Sequence, residues 1–285
     1  MSVLSRSDGS GQFSFGDLKA LGAVTGPAEV RIRDEKPTEA SVDVIVVPVC
    51  GLPGPPSKAV GHTIKQLFTP LILLKKYPRS LIQINLQTLS KPTDRWTKGF
   101  STEFPAQAPV HLFDETQSVT EKAALINAAS LALLDAGVCM RGCAFAVGVA
   151  IIPTPSNPRS PDHPPLSDLV VLDPSPAEES SAKSLHLVGL HFGHQFNTPS
   201  SSANTIGKVA LCESNGTFSY QQLQTVIKYA SLATQQILAF VRQSCESVYH
   251  QQEENDPSEL QPFSSSTPIT DPAESRKKKK TKKNK

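Results

Sequence analysis

The spacing of hydrophobic positions along the 285-residue chain changes several times, and each change marks a predicted element. The first fifty residues read as strands and turns. Val42-Asp43-Val44-Ile45-Val46-Val47-Pro48-Val49 is rich in β-branched residues and predicts a strand, broken by the glycines and prolines of 51–56. From Ser57, read as a helix cap, Val60, Ile64, Leu67, Phe68, Leu71 and Leu74 fall on one helical face, and Pro70 kinks or shortens the run. Ile82, Ile84 and Leu86 then alternate with polar residues, which predicts a half-buried strand. Residues 91–117 have no period, hold three prolines and read as a loop or insertion.

Ser118-Val119-Thr120-Glu121 has the form of a capping box, with the carboxylate three residues after the hydroxyl. It opens the strongest predicted helix, through Ala123, Ala124, Asn127, Ala128, Leu131 and Leu134 to Gly137 as C-terminal cap. So many alanines imply close packing. Cys143–Ile152 reads as a buried strand, 153–165 as a proline-rich loop, and about 168–172, 185–192 and 206–213 as further strands. Ser214-Asn215-Gly216 predicts a turn into a last helix, which Ser219 and Gln222 cap and Leu223, Val226, Ile227, Ala230, Leu238 and Val241 stripe. From about His250 the chain turns polar and predicts a disordered tail. Strands, helix, strand, helix, strands, helix make an α+β domain and not a doubly wound parallel sheet.

Charge changes this picture at one end only. The net charge of +2 conceals a tail, 276–285, with eight Lys or Arg and no acid; the rest has 20 basic and 26 acidic residues, a charge of −6. A mildly acidic body argues against a self-sufficient nucleic-acid binder. The five cysteines are scattered and form no zinc or disulfide framework, which predicts reduced thiols. Met1–Asp17 is polar and Gly/Ser-rich, unlike a signal peptide, and no apolar run reaches membrane length.

Three stretches resemble one family. Arg6-Ser7-Asp8-Gly9-Ser10 with Phe15-Gly16-Asp17 and Gly26-Pro27 resembles the opening hairpins of RNase PH-like proteins. Tyr77-Pro78-Arg79 resembles their second element, and Ile126-Asn127-Ala128-Ala129-Ser130-Leu131-Ala132-Leu133 with Asp135-Ala136-Gly137 their central helix. The resemblance spans about residues 6–245. It implies the RNase PH fold (ribosomal protein S5 domain 2-like) as one α+β domain over 1–249, with insertions at about 91–117, 153–165 and 194–205 and a tail over 250–285. It also implies a place in the six-domain ring of the RNA exosome. Other RNase PH-like subunits are then the partners, with a ribosomal RNA-processing protein 43 type as neighbour, together with S1/KH cap subunits and RNA. No membrane, cofactor or metal is expected.

Active members of this family use inorganic phosphate to attack the terminal phosphodiester of RNA. The resemblance implies a Gly-Gly-Ser/Thr-Arg turn for that phosphate at the start of the central helix, where backbone N–H groups and an arginine fork suit the anion. Counting back from Asn127, the turn falls on Val119, Thr120, Glu121 and Lys122. Both glycines are gone, Glu121 repels phosphate, and Lys122 cannot form the fork. The plain role for Glu121 is capping its helix, and either way phosphorolysis is lost. The family's second element is a carboxylate pair six residues apart. Asp173 and Glu179 keep that spacing, with a glutamate in place of the family's second aspartate, within an acidic stretch that otherwise reads as a solvated loop; a weak metal-dependent nuclease or a residual phosphorolytic exoribonuclease using these two residues is the rival expectation. Lys65 and Lys122 are the candidates for contacting RNA backbone. His186, His191 and His194 lack a metal-ligand pattern, and Cys139 and Cys143 are assigned no chemistry. Lys277, Lys278, Lys279, Lys280, Lys282 and Lys283 predict nuclear localisation, hence nucleus and nucleolus besides cytoplasm, or failing that a basic RNA-binding arm.

Overall fold

The structure is a computed structural model that describes residues 3–49, 52–92, 118–153, 168–193 and 207–255. Two compact units divide the chain, Met1–Arg242 and Gln243–Lys285. In the second, the described residues are helical, to Asn255.

The first unit begins with a hairpin, β1 (Gly9–Phe15) and β2 (Leu18–Glu29). Phe15 pairs with Leu18, leaving Gly16-Asp17 as a two-residue turn, and Gly16 takes the positive φ of +55° that such a turn needs. A crossover follows: β3 (Ser41–Val47), α1 (Pro55–Phe68) and β4 (Ser80–Ser90), with β3 and β4 parallel. The sheet order is β1-β2-β4-β3. Then come α2 (Val119–Asp135), β5 (Gly142–Ile152), β6 (Leu169–Leu172), α3 (Pro176–Ser181), β7 (Ser184–Gly193), β8 (Lys208–Gly216) and α4 (Tyr220–Asn255). Their strands form a second, antiparallel sheet ordered β6-β5-β7-β8.

α2 is the centre of this unit. It packs on β1, β2 and β4 from one sheet and on β5 and β7 from the other. Ala123–Leu133 is buried without a break, as expected of a helix covered on all sides. Small residues allow the approach: a Cβ on Gly22 would lie 2.7 Å from the Ala128 carbonyl oxygen. The polar residues on α2 bond to backbone. Asn127 clamps Ala146, accepting from its N–H at 2.8 Å and donating to its C=O at 2.9 Å, and the Ser130 hydroxyl donates to the Ala144 carbonyl. Gly137, at φ +65°, ends the helix, with its own N–H bonded to Leu134 and that of Val138 to Leu133.

Several elements differ from their sequence readings. Ser57 is not the cap of α1. Gly54 is, because Pro55 and Pro56 occupy the first helical positions, where a missing N–H costs nothing, and Ser57 lies buried inside the helix. Pro70 stops α1 at Phe68; Leu71 and Ile72 are still buried, beyond the helix end. Ser214-Asn215-Gly216 is no turn but the end of β8, paired with Ser184–His186. The helix capped by Ser219 and Gln222 continues past His250 to Asn255. The stretch read as a solvated acidic loop contains α3. Of the predicted insertions, 93–117, 154–167 and 194–206 lie outside the described residues, as does the tail from 256.

Candidate functional site at the start of the central helix

A cavity of about 610 Å³ opens at the N-terminus of α2, between α3 and β8. Its lining includes Lys91, Val119, Lys122, Glu179, Glu213 and Asn215. Of the four positions predicted for a phosphate turn, Val119 and Lys122 line it, whereas Thr120 and Glu121 are buried.

Ser118 caps α2 as expected, its hydroxyl accepting from the Glu121 N–H at 3.0 Å. The reciprocal half of the capping box does not form, so Glu121 is not the cap its sequence position suggested. Its carboxylate turns inward, 2% exposed, where it accepts from the Thr88 hydroxyl at 2.7 Å and faces the Lys91 ammonium at 3.3 Å. A different acid takes the helix terminus. Glu179 of α3 accepts from the N–H groups of Val119 at 3.0 Å and Thr120 at 3.4 Å. Burial raises the pKa of its carboxyl, and those two N–H groups and Lys91 oppose the rise.

Local structure delivers Glu179 to this place. The Asp173 N–H bonds to the Gly148 carbonyl at 2.8 Å, and the Thr120 hydroxyl donates to the Pro174 carbonyl at 2.9 Å, fastening the entry of α3 to β5 and α2. α3 has its own capping box: Ser175 accepts from the Glu178 N–H, and the Glu178 carboxylate returns to the Ser175 N–H at 2.7 Å. With Glu178 so engaged, Glu179 is the acid left to reach across.

The predicted arginine position carries Lys122, which pairs with Glu213 of β8 at 3.4 Å. Glu213 also accepts from Thr63 of α1 at 2.9 Å. Both lysines of the pocket thus face internal carboxylates. Lys65, the other RNA candidate, is half-buried on α1 and does not line the cavity; two positions from Thr63, it falls on another side of the helix.

Asp173 and Glu179 have different surroundings. Asp173 sits at φ +50° before α3, with its Oδ1 buried and lacking a hydrogen-bond partner. Burial pushes its carboxyl up to about 6, against a bond from the Gly148 backbone. His186 is held between the hydroxyls of Ser184 and Ser214, at 3.0 and 2.8 Å, edge-on to Phe218. Burial lowers its pKa and that of His191, whose Nε2 lacks a partner. His194 lies outside the described residues. Tyr77 and Lys76 hold the Cys139 thiol below its usual range, and Cys143 lies on β5. Among the described residues, no three His, Cys, Asp or Glu side chains are grouped to hold a metal, and no helix is long and apolar enough to cross a membrane.

The sequence reading missed Lys91, Thr88 and Glu213, which a one-dimensional pattern does not place beside α2. Glu178 did carry a signal, because Ser175-Pro176-Ala177-Glu178 has the spacing of a capping box with proline at the first helical position.

Residues 1–139 match the model of the 3′ exoribonuclease family, domain 1. The chain carries an RNase PH domain. The match ends after α2, so Asp173 and Glu179 lie beyond it. The chain is similar to the exosome complex component RRP46 of Saccharomyces cerevisiae, 28% identical over 240 residues, which cover 84% of this chain and 91% of that protein. To exosome complex component rrp46 of Schizosaccharomyces pombe it is 34% identical over 139 residues, 49% of this chain and 50% of the other. The crystal structure of rice (Oryza sativa) Rrp46 superposes with a TM-score of 0.62 at 22% identity, covering 86% of this chain and 91% of that one. The α+β fold is that of RNase PH. The family-like residues of the RNase PH domain have visible tasks here: Asp8 accepts from the Gly26 N–H at 2.7 Å, and Asp135 from the Ser10 N–H at 2.9 Å. They tie the opening hairpin to itself and to α2.

Proposed function

We propose that this chain is a non-catalytic ring subunit of an RNA exosome, which scaffolds the ring and lines its RNA channel during 3′-to-5′ RNA processing, rRNA maturation and RNA turnover. One observation carries the absence of phosphorolysis. At the start of α2, the position of the family's phosphate-gripping arginine is taken by Lys122, paired with Glu213. An ammonium tied to a carboxylate offers neither the fork nor the uncompensated charge that phosphate needs. The names of the relatives, exosome complex components, support the assembly. In this proposal its partners are RNase PH-like neighbours, one of the ribosomal RNA-processing protein 43 type, S1/KH caps and RNA.

Two measurements test this reading. Tagged chain recovered from native extract co-purifies with several RNase PH-like paralogues, and the isolated chain releases no nucleoside diphosphate from poly(A) with phosphate. Phosphate-dependent release that is lost in Lys122→Ala refutes the non-catalytic role. The lysine-rich stretch 277–283 directs the chain to nucleus and nucleolus in this proposal; residues 276–285 fused to a neutral reporter that stays cytoplasmic overturn that part.

A second reading, a metal-dependent nuclease, draws support from the unpartnered Oδ1 of Asp173. Its weakness is that Glu179 is bonded to α2. Magnesium-dependent cutting of RNA that Asp173→Asn abolishes establishes it; cutting that survives the change is contamination.

A further inference from the structure

Three exposed cations without an acid partner are brought together just past the end of α2 that is opposite the cavity. Segments 71–73 and 139–141 are stitched antiparallel there. The Leu73 N–H donates to the Cys139 carbonyl at 2.9 Å, the Arg141 N–H to the Leu71 carbonyl at 2.8 Å, and Ile72 bridges Met140. Leu71, Ile72 and Val138 are buried at this junction, while Lys75, Lys76 and Arg141 are exposed. The segments 69–79 and 136–142 hold four cations and no acid. Arg79 pairs with Glu35 at 3.3 Å; among the described residues no carboxylate pairs with Lys75, Lys76 or Arg141. Tyr77 is half-buried and accepts from the Cys139 N–H at 3.2 Å through its hydroxyl, and the Lys76 ammonium lies 3.6 Å from the Cys139 sulfur. An aromatic ring and a cation are thus set at one point. α2 is 17 residues long, which puts this surface about 25 Å from the cavity along the helix axis.

We propose that this surface binds the phosphate backbone of single-stranded RNA without reading its sequence. The inference rests on the reading of the chain as a subunit of an RNA-processing ring. It moves the RNA contact from Lys65 and Lys122 to Lys75, Lys76 and Arg141. Phosphate gains little from a cation that the protein itself neutralises. Lys91 and Lys122 in the cavity each face a carboxylate, and Lys65 is half-buried on α1. Outside 276–285 the chain has 20 basic and 26 acidic residues, so a local excess of three cations stands against a body that otherwise repels RNA. Ammonium and guanidinium groups donate to phosphate oxygens, which positions a strand and specifies no base. The ring of Tyr77, anchored by its hydroxyl, offers a face on which an unpaired base of any kind stacks. The stitch between the two segments fixes the backbone that carries these groups, so less order has to be gained on binding.

The experiment is lysine footprinting of the full chain, with oligoadenylate as the probe and acetylation read by mass spectrometry. With RNA bound, Lys75 and Lys76 lose most of their reactivity, whereas Lys58 and Lys228, exposed on α1 and α4, keep theirs. Changing Lys75→Gln, Lys76→Gln and Arg141→Gln together lowers the slope of log affinity against log salt by about 2, at roughly 0.7 for each of three phosphates. The basic tail is the same in both forms and cancels from that difference. Protection confined to the lysines of 277–283 overturns the proposal, as does an unchanged slope in the folded triple variant or a chain that binds no RNA. Poly-glutamate that protects Lys75 and Lys76 where oligoadenylate does not assigns the surface to an acidic protein and overturns it as well. The footprint is read on wild type, so a poorly folded variant leaves the test intact. If RNA leaves Lys75 and Lys76 reactive while tagged chain co-purifies with RNase PH-like paralogues, the inference falls and the ring role stands. Absence of those paralogues removes the ring role whatever the footprint shows.

Discussion

Replacing Asp173 by asparagine is expected to stabilise the protein at neutral pH. The carboxyl is largely buried, its Oδ1 lacks a hydrogen-bond partner, and its pKa is about 6 where an ordinary aspartate has 3.8. The folded state therefore holds the proton more tightly than the unfolded chain. Stability from this group is fully present below pH 3.8 and falls as pH rises through 6, above which the whole penalty of a buried charge applies. The rise from 3.8 to about 6 corresponds to roughly 3 kcal/mol at most, and incomplete enclosure brings the expected value to about 1–3 kcal/mol at pH 7.5. Near pH 4.5 the penalty shrinks to roughly a third of that, since only the unfolded chain is then mostly ionised. Asparagine removes the charge, keeps the shape, and tolerates the left-handed backbone at φ +50°, so it adds no strain. Urea unfolding of wild type and Asp173→Asn at pH 7.5 and pH 4.5, without divalent ions, measures both differences. A variant less stable than wild type at pH 7.5, or a gain equal at the two pH values, refutes the argument from burial.

Other outcomes follow from the same packing. Asn127→Ala leaves the buried N–H and C=O of Ala146 without partners and should cost about 2–4 kcal/mol of unfolding free energy. Gly22→Ala drives a methyl against the Ala128 carbonyl, 2.7 Å away on rigid backbone, and should cost at least about 2 kcal/mol, read as a lowered Tm. His186 behaves oppositely to Asp173: burial lowers its pKa, so its stability contribution is present above 6.5 and is lost as pH falls below that. Stability measured from pH 7.5 to 5 should therefore decline less in His186→Gln than in wild type, and parallel curves would refute the neutral, hydroxyl-bonded imidazole.

The elements whose signal is local can be read from the order of residues. Alternation in Ile82, Ile84 and Leu86, the alanine-rich period from Ala123 and the αL cap at Gly137 are nearest-neighbour physics, and they appear where the pattern puts them. The Ser118 cap of the central helix was legible for the same reason: it is contiguous with the helix it starts. Proline position explains the miss on α1, where two prolines moved the cap from Ser57 to Gly54. The side-chain partners depend on packing between distant segments. Whether Glu121 caps its helix or turns inward depends on Thr88 and Lys91, about thirty residues earlier on β4 and just past it. Whether the amides of α2 face solvent or an acid depends on α3, whose own capping box occupies Glu178 and leaves Glu179 to cross. A charge written in a sequence has no sign of its neighbours. Asp173 and Glu179 look like a pair six apart, and only packing shows one as a buried carboxyl without a partner for one oxygen and the other as the anion on the central helix.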